Sequence, residues 1–128
     1  MSQELNLYEY AVLRYVPSVE REEFVNVGLV MMCKRRRWLR IAVHIDKHKL
    51  EVFRCPHTSF EILSQLDGFR KVCSGSDDGA PISKLTVEER FRWITAVKSA
   101  SLATSRPHPG KTCDLDAEFD RLFSILVL

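Results

Sequence analysis

Residues 7–16 (LYEYAVLRYV) alternate along a run rich in aromatic and β-branched side chains and stop at Pro17. That pattern predicts a strand. Tyr8, Tyr10, Val12, Arg14 and Val16 fall on one face, Leu7, Glu9, Ala11, Leu13 and Tyr15 on the other. Both faces are partly apolar, as in a central strand covered on both sides. Residues 17–23 (PSVEREE) form a polar connection, read as one helical turn begun by Ser18. Residues 24–33 (FVNVGLVMMC) alternate again, with Val25, Val27, Leu29 and Met31 opposed to Asn26, Gly28, Val30 and Met32. Lys34 to Arg37 then turn the chain into residues 38–45 (WLRIAVHI), which completes a hairpin.

Beyond residue 57 the period changes from two to 3.6. Thr58 and Glu61 have capping-box spacing, followed by Ile62, Leu66, Phe69 and Cys73 on one helical stripe. Thr86 and Glu89 repeat the box ahead of Val87, Phe91 and Ile94. Asp114 can cap a third helix, where Leu115, Phe119, Leu122, Phe123 and Leu126 share a face. Residues 74–83 (SGSDDGAPIS) read as a Gly/Ser/Asp loop. Residues 99–105 read as a fourth strand, ended by Pro107, Pro109 and Gly110. The element order β, β, β, α, α, β, α predicts an α+β fold: a small antiparallel sheet of about four strands with three helices packed mainly on one face.

Composition refines this. The chain has 128 residues, 45% of them hydrophobic, which suits one globular domain over residues 1–128. The longest uncharged apolar run, residues 25–33, is too short to span a bilayer, and Glu4 interrupts any leader-like start, so no membrane partner is expected. The four cysteines (Cys33, Cys55, Cys73, Cys113) show no CxxC spacing and read as free thiols of a cytoplasmic protein. Cys33 and Cys73 occupy apolar pattern positions and read as small buried hydrophobes.

A net charge of +2 does not by itself argue for nucleic acid. Its one concentration is Lys34, Arg35, Arg36, Arg37 and Arg40, beside Trp38. Cations on a tight turn next to an indole suit phosphate contact and base stacking, although a hairpin tip is ordinarily charged because water surrounds it. A second group comprises Arg90, Arg92, Trp93 and His108, the last held in a Pro-His-Pro-Gly turn. Arg90 and Arg92 are two residues apart and point to different helix faces, which argues against one shared site.

His44, His48, Cys55 and His57 lack the spacing of a zinc knuckle. GxSxG, SxxK, P-loop and GxGxxG motifs are absent, so no cofactor and no nucleophile is implied. Asn26 and Gly28 are unusual inside a strand. Asn26 is expected to tie the 17–23 turn to the sheet, and Gly28 to permit a bulge or a close backbone approach. The functional alternative is a polar notch of Arg14, Glu22 and Asn26. A spare sheet edge would suit a dimer, but the sequence does not show which edge is free.

Residues 10–17 (YAVLRYVP), 21–28 (REEFVNVG), 89–95 (ERFRWIT) and 118–128 resemble a bacterial family of uncharacterised small proteins, often encoded beside HipA-like kinases. The resemblance covers nearly the whole chain. Arg14, Glu23, Phe24, Asn26, Gly28, Arg90, Arg92, Trp93 and His108 match its signature, whereas the family's Pro-Arg-Ser run after the Thr95 position is replaced here by Ala96-Val97-Lys98-Ser99. It implies no reaction and no catalytic residues; it implies an accessory role, with a HipA-like kinase as the expected partner. Three functions stay open: a non-enzymatic interaction module, a nucleic-acid-binding accessory domain using residues 34–40, and an enzyme or anion-binding domain around Arg14, Arg92, Trp93 and His108.

Overall fold

The computed structural model describes residues 4–75, 84–96 and 101–128. Strand β1 (Asn6–Ser18) is the spine of an antiparallel sheet. A single 3-10 turn, Val19–Arg21, and the left-handed Glu22 reverse the chain into β2 (Glu23–Cys33), and the turn 34–37 leads to β3 (Trp38–Val43). Helices α1 (Lys47–Val52), α2 (Ser59–Ser74) and α3 (Val87–Ala96) follow, then β4 (Leu102–Thr104), β5 (His108–Thr112) and α4 (Leu115–Leu126). The strand order is β3-β2-β1-β4, with β5 also on β1.

The α+β class and the antiparallel sheet stand as the alternation implied. Strand and helix counts are larger: five strands and four helices among the described residues. The additional helix, α1, is short and capped by Asp46, whose carboxylate accepts from the His48 and Lys49 amides. The additional strand, β5, occupies the stretch read as a terminating turn. It pairs with β1 from Asn6↔Thr112 to Tyr10↔His108, placing Pro109 opposite Glu9, where the ladder asks no N–H of it. Beyond Ser105, β4 and β5 run along the same edge of β1 as one interrupted strand. In the gap the Val12 amide donates to Ser105 Oγ (2.8 Å) and the Ser105 amide donates to the Val12 carbonyl (2.9 Å). The 74–83 loop and the first part of the 99–105 strand expectation lie largely outside the described residues.

Both faces of the sheet are covered. Ala11, Leu13, Tyr15, Val25, Val27, Val30 and Met32 pack with Leu50 of α1, Ile62, Leu66 and Phe69 of α2, and Phe91 and Ile94 of α3. Tyr8, Leu29 and Met31 pack on the opposite side with Phe119 and Leu122 of α4. The third predicted helix therefore lies across the sheet from the other two. Its stripe is continuous enough to bury itself on either face, and the long connection through β4 and β5 decides which.

The face assignment of β2 also needs correction. Leu13 pairs with Gly28 but Arg14 pairs with Asn26, so Val27 is an extra residue in β2. This bulge puts Val25 and Val27 on the same side as Val30 and Met32, not with Leu29 and Met31. Gly28 permits it: a Cβ there would stand 2.9 Å from the Ala42 carbonyl oxygen and 2.9 Å from Leu13 Cδ1.

Candidate functional site

The β2–β3 turn projects Lys34, Arg35, Arg36 and Arg37 into solvent, with Arg37 in the left-handed region (φ 52°) that closes the reversal. Most of these cations already have partners. Lys34 Nζ pairs with Glu88 Oε2 at 3.1 Å, Arg35 with Glu4, and Arg36 Nε donates to Asn6 Oδ1 at 3.2 Å. Arg40 bridges Asp116 (3.1 Å) and Asp120 (3.3 Å) and lies 4.3 Å above the Phe119 ring. Arg37 makes no ion pair with a described residue. Trp38 is half-buried, edge-on to Phe119 at 6.2 Å, so its ring belongs to the α4 layer and not to a stacking surface.

The second basic group is divided between the two faces. Arg90 turns inward and donates from Nη1 to the Val72 and Cys73 carbonyls (3.2 and 2.8 Å), closing the C-terminal end of α2. Arg92 grips Glu9 of β1 with two hydrogen bonds of 3.0 and 2.5 Å, and this pairing holds its guanidinium charged to still higher pH. Trp93 meets Phe69 edge-on at 6.4 Å. His108 lies on the α4 side, its ring 5.3 Å from Tyr10. Arg14 is also on that side, 4.1 Å over the Phe24 ring and directly across from Asn26. Arg92 and Trp93 are thus separated by the sheet from Arg14 and His108.

The notch residues meet in part. Asn26 Nδ2 donates to the Leu126 carbonyl at 2.9 Å, so it ties down the end of α4 rather than the 17–23 turn. Arg14 Nε and Asn26 Oδ1 are buried without hydrogen-bond partners, and Glu22 is exposed in the turn, hydrogen-bonded to neither.

A depression of about 730 Å³ does bring Lys34, Arg37 and Arg90 together with Thr86, Glu88 and Glu89 at the start of α3. Its polar groups are largely engaged with one another. Glu89 accepts from Thr86 in the capping box, Glu88 holds Lys34, and Arg90 serves α2.

Two polar clusters escaped the sequence reading because their members are far apart in the chain. Tyr15, fully buried, shares a 2.6 Å hydrogen bond with His57 Nδ1, and burial pushes its hydroxyl above the ordinary value. Cys55 is nearby, its thiol also raised by burial. Tyr8 donates to Glu118 Oε2 at 2.6 Å, and Glu118 in turn accepts from Arg121 at 2.6 Å. Burial and the adjacent carboxylate push Tyr8 up to about 12. Arg121, with help from the Tyr8 hydrogen bond, holds Glu118 below its usual range against desolvation. No cluster of three His, Cys, Asp or Glu side chains suited to a metal occurs among the described residues.

The geometry defines a layered α+β scaffold whose polar residues mostly knit its own elements together. By the match of residues 10–127 to the family model "Protein of unknown function (DUF3037)", the chain belongs to that family. No curated protein and no solved structure matches it. No described helix is long and apolar enough to cross a membrane.

Proposed function

We propose that the protein is a non-enzymatic interaction module of the bacterial cytoplasm that docks on another protein, a HipA-like kinase being the partner that the sequence resemblance points to. The observation that supports this is the fate of the reactive side chains. Arg14, Arg92, Trp93 and His108 are divided between opposite faces of the sheet, and Arg40, Arg90, Arg92 and Asn26 are spent on internal ties. Catalysis needs groups converging on one reacting atom, which this distribution does not favour. Meanwhile α2 presents Phe60 (77% exposed) and Leu63 one turn apart on its outer surface. Apolar side chains at i and i+3 have the spacing by which a helix seats its face in a partner's groove.

The test is titration of the purified chain with a HipA-like kinase, read by light scattering. A complex at micromolar concentration is expected, weakened at least tenfold by Phe60→Ser with Leu63→Ser while the melting temperature holds. No complex at that concentration overturns the reading. The nucleic-acid alternative has less support, because Lys34, Arg35 and Arg40 are already neutralised by carboxylates. Salt-sensitive DNA or RNA retention lost on charge reversal at Arg35 and Arg36 would reverse that ranking.

A further inference from the structure

The sheet has two outer edges, and they are built differently. The β4–β5 edge is broken after Thr104 and carries Pro107 and Pro109, the residues that blunt an edge against pairing. The β3 edge is an unbroken six-residue strand, WLRIAV, without proline or glycine. No described strand pairs with its outer side.

The ladder determines which backbone groups point outward there. The Val12 backbone faces Ser105, so the even positions of this part of β1 face β5 and the odd ones face β2. Through Ala11↔Val30 and Leu29↔Ala42, the odd positions of β2 then face β3, and the even positions of β3 face β2. The His44 amide donating to the Val27 carbonyl at 2.9 Å agrees with this parity. Leu39, Ile41 and Val43 therefore point their N–H and C=O groups away from the sheet.

We infer that this edge pairs with β3 of a second copy of the chain, antiparallel about a two-fold axis at Ile41, to form one continuous sheet across a dimer. In that register Ile41 faces Ile41, Leu39 faces Val43 and Val43 faces Leu39. All three are pairs that exchange both backbone hydrogen bonds, and all three are apolar. Between them Arg40 meets the small Ala42, which leaves its bridge to Asp116 and Asp120 undisturbed.

Shifting the register by one residue cannot satisfy the outward groups. Shifting it by two, with the axis at Arg40, sets two arginines face to face at the closest spacing of the ladder, which like charges oppose. The axis at Ala42 opposes Arg40 to His44 and carries Leu39 beyond the end of β3, to Ile45. Beside the edge, a shallow groove of about 610 Å³ runs between Leu39, Ile41 and a flank of α2 bearing Asp67, Arg70 and Lys71. A two-fold copy brings an identical flank, with a carboxylate and two cations of its own, to the same side of the joined sheet.

This inference does not rest on the proposed kinase docking, and it can fail alone. The experiment is sedimentation of the full chain over a micromolar concentration series, followed by oxidative cross-linking of Ile41→Cys and Arg40→Cys variants, each in a Cys113→Ser background that removes the exposed thiol. Concentration-dependent dimer is expected. The Ile41→Cys chain is expected to form a covalent dimer, because hydrogen-bonded partners lie about 5.5 Å apart at Cα, within disulfide reach. The Arg40→Cys chain, offset from its copy, should not. A monomer at every concentration overturns the inference whatever else binds that edge, and cross-linking through position 40 but not 41 overturns the register. Should Ile41→Cys fail to fold, Val43→Cys paired with Leu39→Cys in a mixed sample tests the same contact.

Discussion

Replacing Gly28 by alanine adds one methyl group at the bulge, against both Leu13 of β1 and Ala42 and Val43 of β3. The new carbon would sit 2.9 Å from the Ala42 carbonyl oxygen, 2.9 Å from Leu13 Cδ1 and 3.1 Å from Val43 Cγ1, all inside ordinary van der Waals contact. The carbonyl belongs to the β2–β3 ladder and cannot withdraw without lengthening hydrogen bonds, and Leu13 is fully buried. Overpacking of this kind costs about 1–3 kcal/mol. The reduced freedom of the unfolded chain returns about 0.4–1 kcal/mol, leaving a net loss of about 1–2 kcal/mol. In a chain of this size that lowers the melting temperature by about 5 °C.

Gly68→Ala is the matched control. Nothing lies within 4 Å of a Cβ at Gly68, inside α2, so the same methyl should stabilise by about 0.5–1 kcal/mol. Urea unfolding of both variants, with slopes compared to confirm that only the midpoint moves, measures the pair. Equal stability for Gly28→Ala and the parent chain would refute the steric account of the bulge. Destabilisation by Gly68→Ala would refute the claim that the added methyl meets open space in α2.

Three other outcomes follow from single contacts. Ser105→Ala leaves the buried Val12 amide without an acceptor between β4 and β5 and should cost about 1–3 kcal/mol by urea unfolding, with Ser105→Thr retaining part of the stability. Asn26→Ala releases the Leu126 carbonyl and should cost about 1 kcal/mol, with faster hydrogen exchange concentrated in the last turn of α4. Tyr8 is raised from 10.0 to about 12, so the fold favours its neutral form. That stabilisation is complete below pH 10 and disappears as pH rises towards 12. Tyr8→Phe should therefore flatten the alkaline fall in stability, and should remove a late-ionising component from the absorbance titration of the parent, leaving that of the buried Tyr15.

Periodicity in the sequence determined the elements whose pattern is local. The two boxes Thr58/Glu61 and Thr86/Glu89 close as read, the Phe119–Leu122 stripe is buried, and the β1 faces separate Tyr8 and Tyr10 from Ala11, Leu13 and Tyr15. These features rest on spacing within one segment, which the chain carries whether or not it is folded. Gly28 marked the bulge because a glycine inside an apolar strand needs a reason.

Tertiary structure alone decided the rest. The face that α4 covers depends on where the β4–β5 connection delivers it. The role of Pro109 depends on which side of β5 meets β1. Arg90 is committed to the end of α2 and Arg92 to Glu9 of β1, partners that the basic spacing of residues 90–92 does not contain. Tyr8 with Glu118 and Tyr15 with His57 bridge 110 and 42 residues of chain, so no window of sequence contains them. A charged or polar side chain is defined by its neighbours, and those neighbours are supplied by strand pairing and layer packing across long separations.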